Sequence, residues 1–261
     1  MADKTTIIAG AKGGVGTSTV TLNLAVQLAV QSRQRVALVD LARPFGQISL
    51  MLDFVPRFTV LDALARIERL DEKVLASLAT RHKSGIEILA GPRHSAMNAA
   101  ERQSVTLEAL CRLLEIADRA YDVTLVDIGV VNPADWAPVL QRARTLLLIS
   151  EPSALSLGMI ERHTTAAEQG GIERERIHVV VNRWRQNDDE ALTTFEKSGQ
   201  GPILARLPND YRQLTEAVQL GIPLMVTANN ALVCRYRDLA EWLGSRLGNT
   251  PEDVNDQAHS A

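Results

Sequence analysis

Six short, almost uninterrupted apolar runs punctuate the chain: TTIIAG (5–10), RVALVD (35–40), IEILAG (86–91), DVTLVD (122–127), TLLLIS (145–150) and IHVVVN (177–182). A strand covered on one face alternates apolar and polar residues, whereas a strand covered on both faces stays apolar throughout. Between these runs lie stretches with apolar residues at helical spacing, near 18–32, 104–119, 153–169, 188–198 and 230–247. The alternation predicts an α/β fold, a mostly parallel sheet with helices on both faces. Ligands in such sheets sit at the carboxyl ends of the strands. No repeat or linker divides the chain, so one domain is expected over 1–248. A polar, acidic and disordered tail is expected over 249–261.

Composition narrows the function without naming it. The 261 residues are 46% apolar and 23% charged, with a net charge of −3. That balance suits a soluble globular protein and gives no global basic field for nucleic acid or an anionic membrane. Cys111 and Cys234 read as separate reduced thiols of a cytoplasmic protein, not a disulfide framework or a metal site. The first residues show no signal-peptide pattern, and no apolar run approaches the roughly 18 residues that span a bilayer.

The most informative stretch is GAKGGVGTSTV (10–20), which follows the first strand and opens a helix. Gly13, Gly14 and Gly16 let main-chain N–H groups turn onto phosphate oxygens, and the helix beginning near Ser18 adds its positive end. Ser18 stands where a hydroxyl binds magnesium, and Thr19 where one contacts an α-phosphate. A glycine-rich turn that binds nothing is the plain alternative. Position 17, where the usual loop has lysine, is Thr17. One missing charge-assisted contact costs about 1.5–3 kcal/mol, or about 10- to 100-fold in affinity.

KGGVG followed by hydroxyl residues resembles the deviant phosphate loop of MinD/ParA-type ATPases, and the resemblance covers about residues 5 to 245. It implies P-loop NTPase (SIMIBI-type) architecture, ATP and Mg2+ as ligands, and a homodimer bridged by ATP. Lys12 is then the signature lysine that reaches the partner's phosphates. The family's Asp-x-Asp pattern follows the second strand. Asp40 matches the first acid, near magnesium, and Ala42 replaces the second, which orients the attacking water. Asp127, ending YDVTLVD, resembles the acid that holds magnesium through water. Asn182 matches a residue that reads the adenine edge, and Pro208 and Asp210 match the segment packed against the base. The implied nucleotide contacts are Ala11, Lys12, Gly13, Gly14, Val15, Gly16, Thr17, Ser18, Thr19, Asn182, Arg183, Pro208 and Asp210. The implied metal set is Ser18, Asp40 and Asp127, and the catalytic pair is Lys12 and Asp40. The plain readings are a solvated loop lysine at 12 and strand-end or helix caps at Asp40 and Asn182.

Threonine at 17, giving GGVGTST, is similar to the TadZ/CpaE branch of the family, the localisation ATPases of Tad-type (Flp) pili. DLARPFGQISLMLD, TVLDAL (59–64), LATRHKSGIEILAGPR (78–93) and LPNDYRQLTEAVQLGIPL (207–224) resemble it too. That implies pilus assembly machinery as a partner and recruitment to a pole or the inner-membrane face. Members often carry a receiver-like domain upstream; this sequence begins at its first strand. A cellulose-synthesis relative shares the threonine, and partition proteins share the loop. The acidic tail lacks the basic amphipathic helix of a direct membrane anchor. Arg235, Arg237 and Arg246 read as the solvated face of a helix, so no specific nucleic-acid partner is expected. Two functions remain: a nucleotide-gated dimer with weak or partner-dependent hydrolysis, and an interaction scaffold with a vestigial pocket.

Overall fold

The structure, a computed structural model, describes residues 4–32, 34–42, 46–92, 105–200, 202–224 and 230–248. Residues 43–45, within the second acidic motif, and the expected tail over 249–261 lie outside these. Eight strands form one sheet: β1 (Thr5–Gly10), β2 (Val36–Asp40), β3 (Thr80–Arg81), β4 (Glu87–Leu89), β5 (Val123–Asp127), β6 (Thr145–Ser150), β7 (Ile177–Trp184) and β8 (Ile203–Pro208). Their spatial order is β3-β4-β2-β5-β1-β6-β7-β8, and only the β3–β4 pairing is antiparallel. The chain leaves β1 towards β2 on one side and later crosses to β6 on the other. The crevice at the carboxyl end of β1 is therefore a topological switch point, where ligands of open α/β sheets bind.

The apolar runs become strands because both of their faces are covered. Every residue of β1, β2, β5 and β6 is buried. Ile7 and Ala9 join the core on one face and Ile8 the core on the other, the period-two alternation of a pleated strand. The first face is covered by α3 (Val60–Leu64), α4 (Glu72–Leu78), α5 (Leu107–Ala120), α6 (Ala137–Leu140), α7 (Ala154–Gln169) and α8 (Asp189–Phe195). The second is covered by α1 (Thr17–Ser32) and α10 (Ala231–Gly248), which pack side by side, with α2 (Ile48–Met51) at the edge. A further helix, α9 (Tyr211–Gln219), follows β8. Thr106, Ser153 and Asp210 cap α5, α7 and α9 by accepting a main-chain N–H in the first turn. Arg235 pairs with Asp238 on its own helix, and Arg246 lies over the Trp242 ring.

One close crossing shapes the functional end. The segment after β2 passes the segment after β4 at Gly46 and Gly91, and the Gly46 N–H donates to the Pro92 carbonyl at 3.0 Å. A Cβ on Gly91 would stand 2.6 Å from the Gly46 Cα and 3.0 Å from the Asp40 carbonyl oxygen. Both obstacles are main chain, which cannot rotate aside. Gly91→Ala is expected to cost about 1–3 kcal/mol in urea-melt stability, the usual range for overpacking a rigid site.

Candidate functional site

The loop from Gly10 to Thr17 is clamped at both ends. The Gly10 N–H donates to the Gly129 carbonyl at 2.7 Å, and the Ala11 N–H to the Ile149 carbonyl at 2.8 Å. Ala11 and Val15 are fully buried, pinning the loop to the core. Gly14 and Gly16 hold φ of 80° and 92°, where a side chain is strained. Gly13 has open space around its missing Cβ. Thr17 packs against Gly10, where a Cβ would collide with its hydroxyl. Among the described residues, no main-chain carbonyl takes the N–H groups of Lys12, Gly13, Gly14, Val15 or Gly16. Gly13 and Gly14 are exposed, so their N–H groups open to solvent at the N-terminus of α1, while that of Val15 lies buried behind them. A polyanion is the ligand that satisfies such a row.

Two carboxylates stand beside it. β2 and β5 are parallel neighbours in a register that pairs Asp40 with Asp127, and both are fully buried. Asp40 accepts the Ala42 N–H at 3.2 Å and the Ile48 N–H at 3.1 Å. Burial pushes the Asp40 carboxyl up to about 7; Asp127 adds to the rise, and the N–H donors of Ile48, Ala42 and Gln47 oppose it. Asp127 is also raised by burial, against the Ser18 hydroxyl and the Gly129 N–H, which donates at 2.9 Å. Among the described residues, the buried Asp127 Oδ2 completes no well-formed hydrogen bond. Ser18, itself buried, opens α1 next to this pair. Two desolvated acids, an orphaned oxygen and a hydroxyl fit a hard divalent cation. Among the described residues no set of three His, Cys, Asp or Glu residues converges there.

The remaining expected residues fall nearby with different duties. Lys12 turns back onto its own chain, its Nζ 2.6 Å from Glu151. Arg183, at φ 59°, faces the other oxygen of Glu151 at 3.6 Å. Thr19 is half-buried, and its carbonyl accepts the Asn23 amide. Asn182 does not project towards a base: it is buried, its amide donates to the Val15 carbonyl at 2.8 Å, and its oxygen accepts the Arg183 N–H. In this structure Asn182 braces the loop through these two bonds. Asp210 caps α9, accepting the Gln213 N–H at 3.0 Å, and Pro208 ends β8 opposite Trp184. Ala42 is buried and contributes only its N–H to Asp40. Glu151 and the Gly46–Gly91 crossing are absent from the sequence reading; a carboxylate directly after an apolar strand in the loop's neighbourhood was the available signal for the first.

The carboxylate pair has a pH signature. Between about 4 and 7 the folded state of the unliganded chain holds more protons at Asp40 than the unfolded state, so stability falls as pH rises through that window. The fall is expected to be on the order of 2–4 kcal/mol between pH 5 and pH 8, and Asp40→Asn should flatten it. Urea melts across that pH range check this.

Three comparisons place the chain among known proteins. It is 26% identical over 231 residues to a putative septum site-determining protein MinD of Oltmannsiellopsis viridis, covering 85% of this chain and 69% of that one. A ParA family ATPase from Chlorobium tepidum superposes with a TM-score of 0.82 at 24% identity, over 92% of this chain and 99% of that one. MinD from Pyrococcus horikoshii, solved with Mg-ADP, superposes with a TM-score of 0.75 at 22% identity, over 94% and 96%. These likenesses support the observed fold, and the model of the CobQ/CobB/MinD/ParA nucleotide-binding domain matches residues 6–219. The loop, the paired acids and that match converge on one assignment: the chain belongs to the family of the CobQ/CobB/MinD/ParA nucleotide-binding domain.

Proposed function

We propose that this chain binds ATP with Mg2+ and, so loaded, forms a homodimer that positions the assembly machinery of Tad-type pili. The observation that carries the nucleotide reading is the row of five N–H groups, Lys12 to Gly16, that no main-chain carbonyl takes among the described residues, beside the buried Asp40–Asp127 pair. Those donors bind and orient the phosphates. Ser18, Asp40 and Asp127 hold Mg2+, which when bound offsets phosphate charge and draws the two acids into their ionised form. Asp40 lies too deep to act by itself on a water molecule, and Ala42 has no group that can take a proton. Hydrolysis is therefore slow or partner-dependent, since each missing polar group typically removes about 10²–10⁴-fold in rate.

The dimer reading rests on the same end of the sheet. Exposed apolar side chains follow the carboxyl ends of four strands: Leu50 and Val55 after β2, Val130 after β5, Leu155 after β6 and Tyr211 after β8. A second copy brought face to face across the nucleotide would cover them, with Lys12 of each protomer reaching the other's phosphates. Arg183 and Pro208 border the same rim. The pilus assignment is supported by the TadZ/CpaE-like stretches, GGVGTST above all. A cytoplasmic protein recruited by its partners accords with the absence, among the described residues, of any helix long and apolar enough to cross a membrane. The scaffold with a vestigial pocket is favoured by one observation, the engagement of Lys12 by Glu151.

Calorimetry separates the readings: micromolar or tighter Mg-ATP binding is expected, and no heat at millimolar nucleotide would leave only the scaffold. In sedimentation with ATP, Lys12→Ala is expected to weaken dimerisation at least tenfold while leaving the melting temperature within a degree or two. The side chain lies outside the core, and surface changes are usually within about 0.5 kcal/mol. Unchanged dimerisation would remove Lys12 from the interface.

A further inference from the structure

Glu151 immediately follows β6 and stands beside the loop, because the preceding strand accepts the Ala11 N–H through the Ile149 carbonyl. Its two oxygens divide the local cations between them. Oε1 pairs with the Lys12 Nζ at 2.6 Å and accepts the Ser153 hydroxyl at 3.3 Å, and Oε2 faces Arg183 at 3.6 Å. The hydrogen bond from Lys12 is the main cause that holds the Glu151 carboxyl below the usual range. Only 22% of the Glu151 side chain and 30% of that of Lys12 are exposed, so the pair is more sheltered than an ordinary surface ion pair. Thr17 makes Lys12 the loop's sole lysine. The cation available to an arriving polyphosphate is thus already matched to a carboxylate.

We infer that Glu151 is a positioning residue that holds Lys12 in a resting place on its own chain and competes with nucleotide phosphates for it. Binding then exchanges one anionic partner of Lys12 for another. The carboxylate left behind faces the polyphosphate and retains Arg183. The exchange sets a threshold: weak anions leave the pair closed, and only a ligand offering several oxygens at once displaces it. This inference rests on the phosphate-loop reading above and adds to it the residue that opposes loading.

The test is Mg-ATP calorimetry at one ionic strength on the wild-type chain, Glu151→Gln, Lys12→Ala and the double variant, with thermal melts to show that each is folded. Glu151→Gln keeps the shape and removes the charge, and is expected to bind about 3- to 10-fold more tightly than wild type, an effect the size of a partly exposed ion pair. In the Lys12→Ala background the same change is expected to gain less than twofold, because the restraint acts through Lys12. Equal or weaker binding by folded Glu151→Gln would overturn the inference, as would an undiminished gain without Lys12, which would indicate simple charge repulsion. Should Glu151→Gln melt early, Glu151→Ala is held to the same two criteria. Binding by wild type that is unchanged in the variant sinks this inference alone, whereas no binding by either chain sinks the phosphate-loop reading itself.

Discussion

Two negative charges cannot share a dry interior at small separation without something positive between them or a proton on one of them. The parallel register of β2 and β5 creates this conflict by ending both strands on aspartate, side by side and beyond the reach of bulk water. Main-chain N–H groups from Ala42 and Ile48 soften it at Asp40, and the Gly129 N–H softens it at Asp127. They do not remove it, and the Asp40 carboxyl stays near neutrality in its titration. A purely structural role would be filled better by apolar residues of similar volume. The pair makes physical sense as half of a binding site whose other half arrives with the ligand.

The surrounding architecture serves that arrangement. The Gly46–Gly91 crossing brings two main chains against Asp40 more closely than any side chain would permit. Loop 10–17 is tied to three strand ends, through Gly129, Ile149 and Asn182, so its open N–H groups keep their direction without a ligand. What the site lacks is equally definite. Thr17 brings no charge, Ala42 brings no acid, and Lys12 is shared with Glu151. Under the proposed function, that balance favours holding a nucleotide over cleaving it.

Much of the fold was legible because strands buried on both faces leave unbroken apolar runs. Those at 5–10 and 145–150 coincide with β1 and β6, and the run ending at Asp127 differs from β5 by one residue. β8 was not placed as a strand, since it lies at the sheet edge, is mostly half-buried and carries Arg206 and Pro208. The four-residue helices α2 and α6 complete barely one turn, too little for a period of 3.6 to declare itself. At the site, the turn glycines and the two strand-end aspartates can be located from the sequence because their placement is local to a turn or a strand end. The bonds that tie Asn182 and Glu151 to the loop cannot, because each joins segments far apart in sequence, and such contacts leave no spacing pattern.

The bond from Asn182 to the Val15 carbonyl joins residues 167 positions apart. Translation therefore releases the phosphate loop 167 residues ahead of the side chain that braces it. Until the distal strands dock, the loop lacks this brace, so its final outline comes from long-range folding and not from local sequence alone.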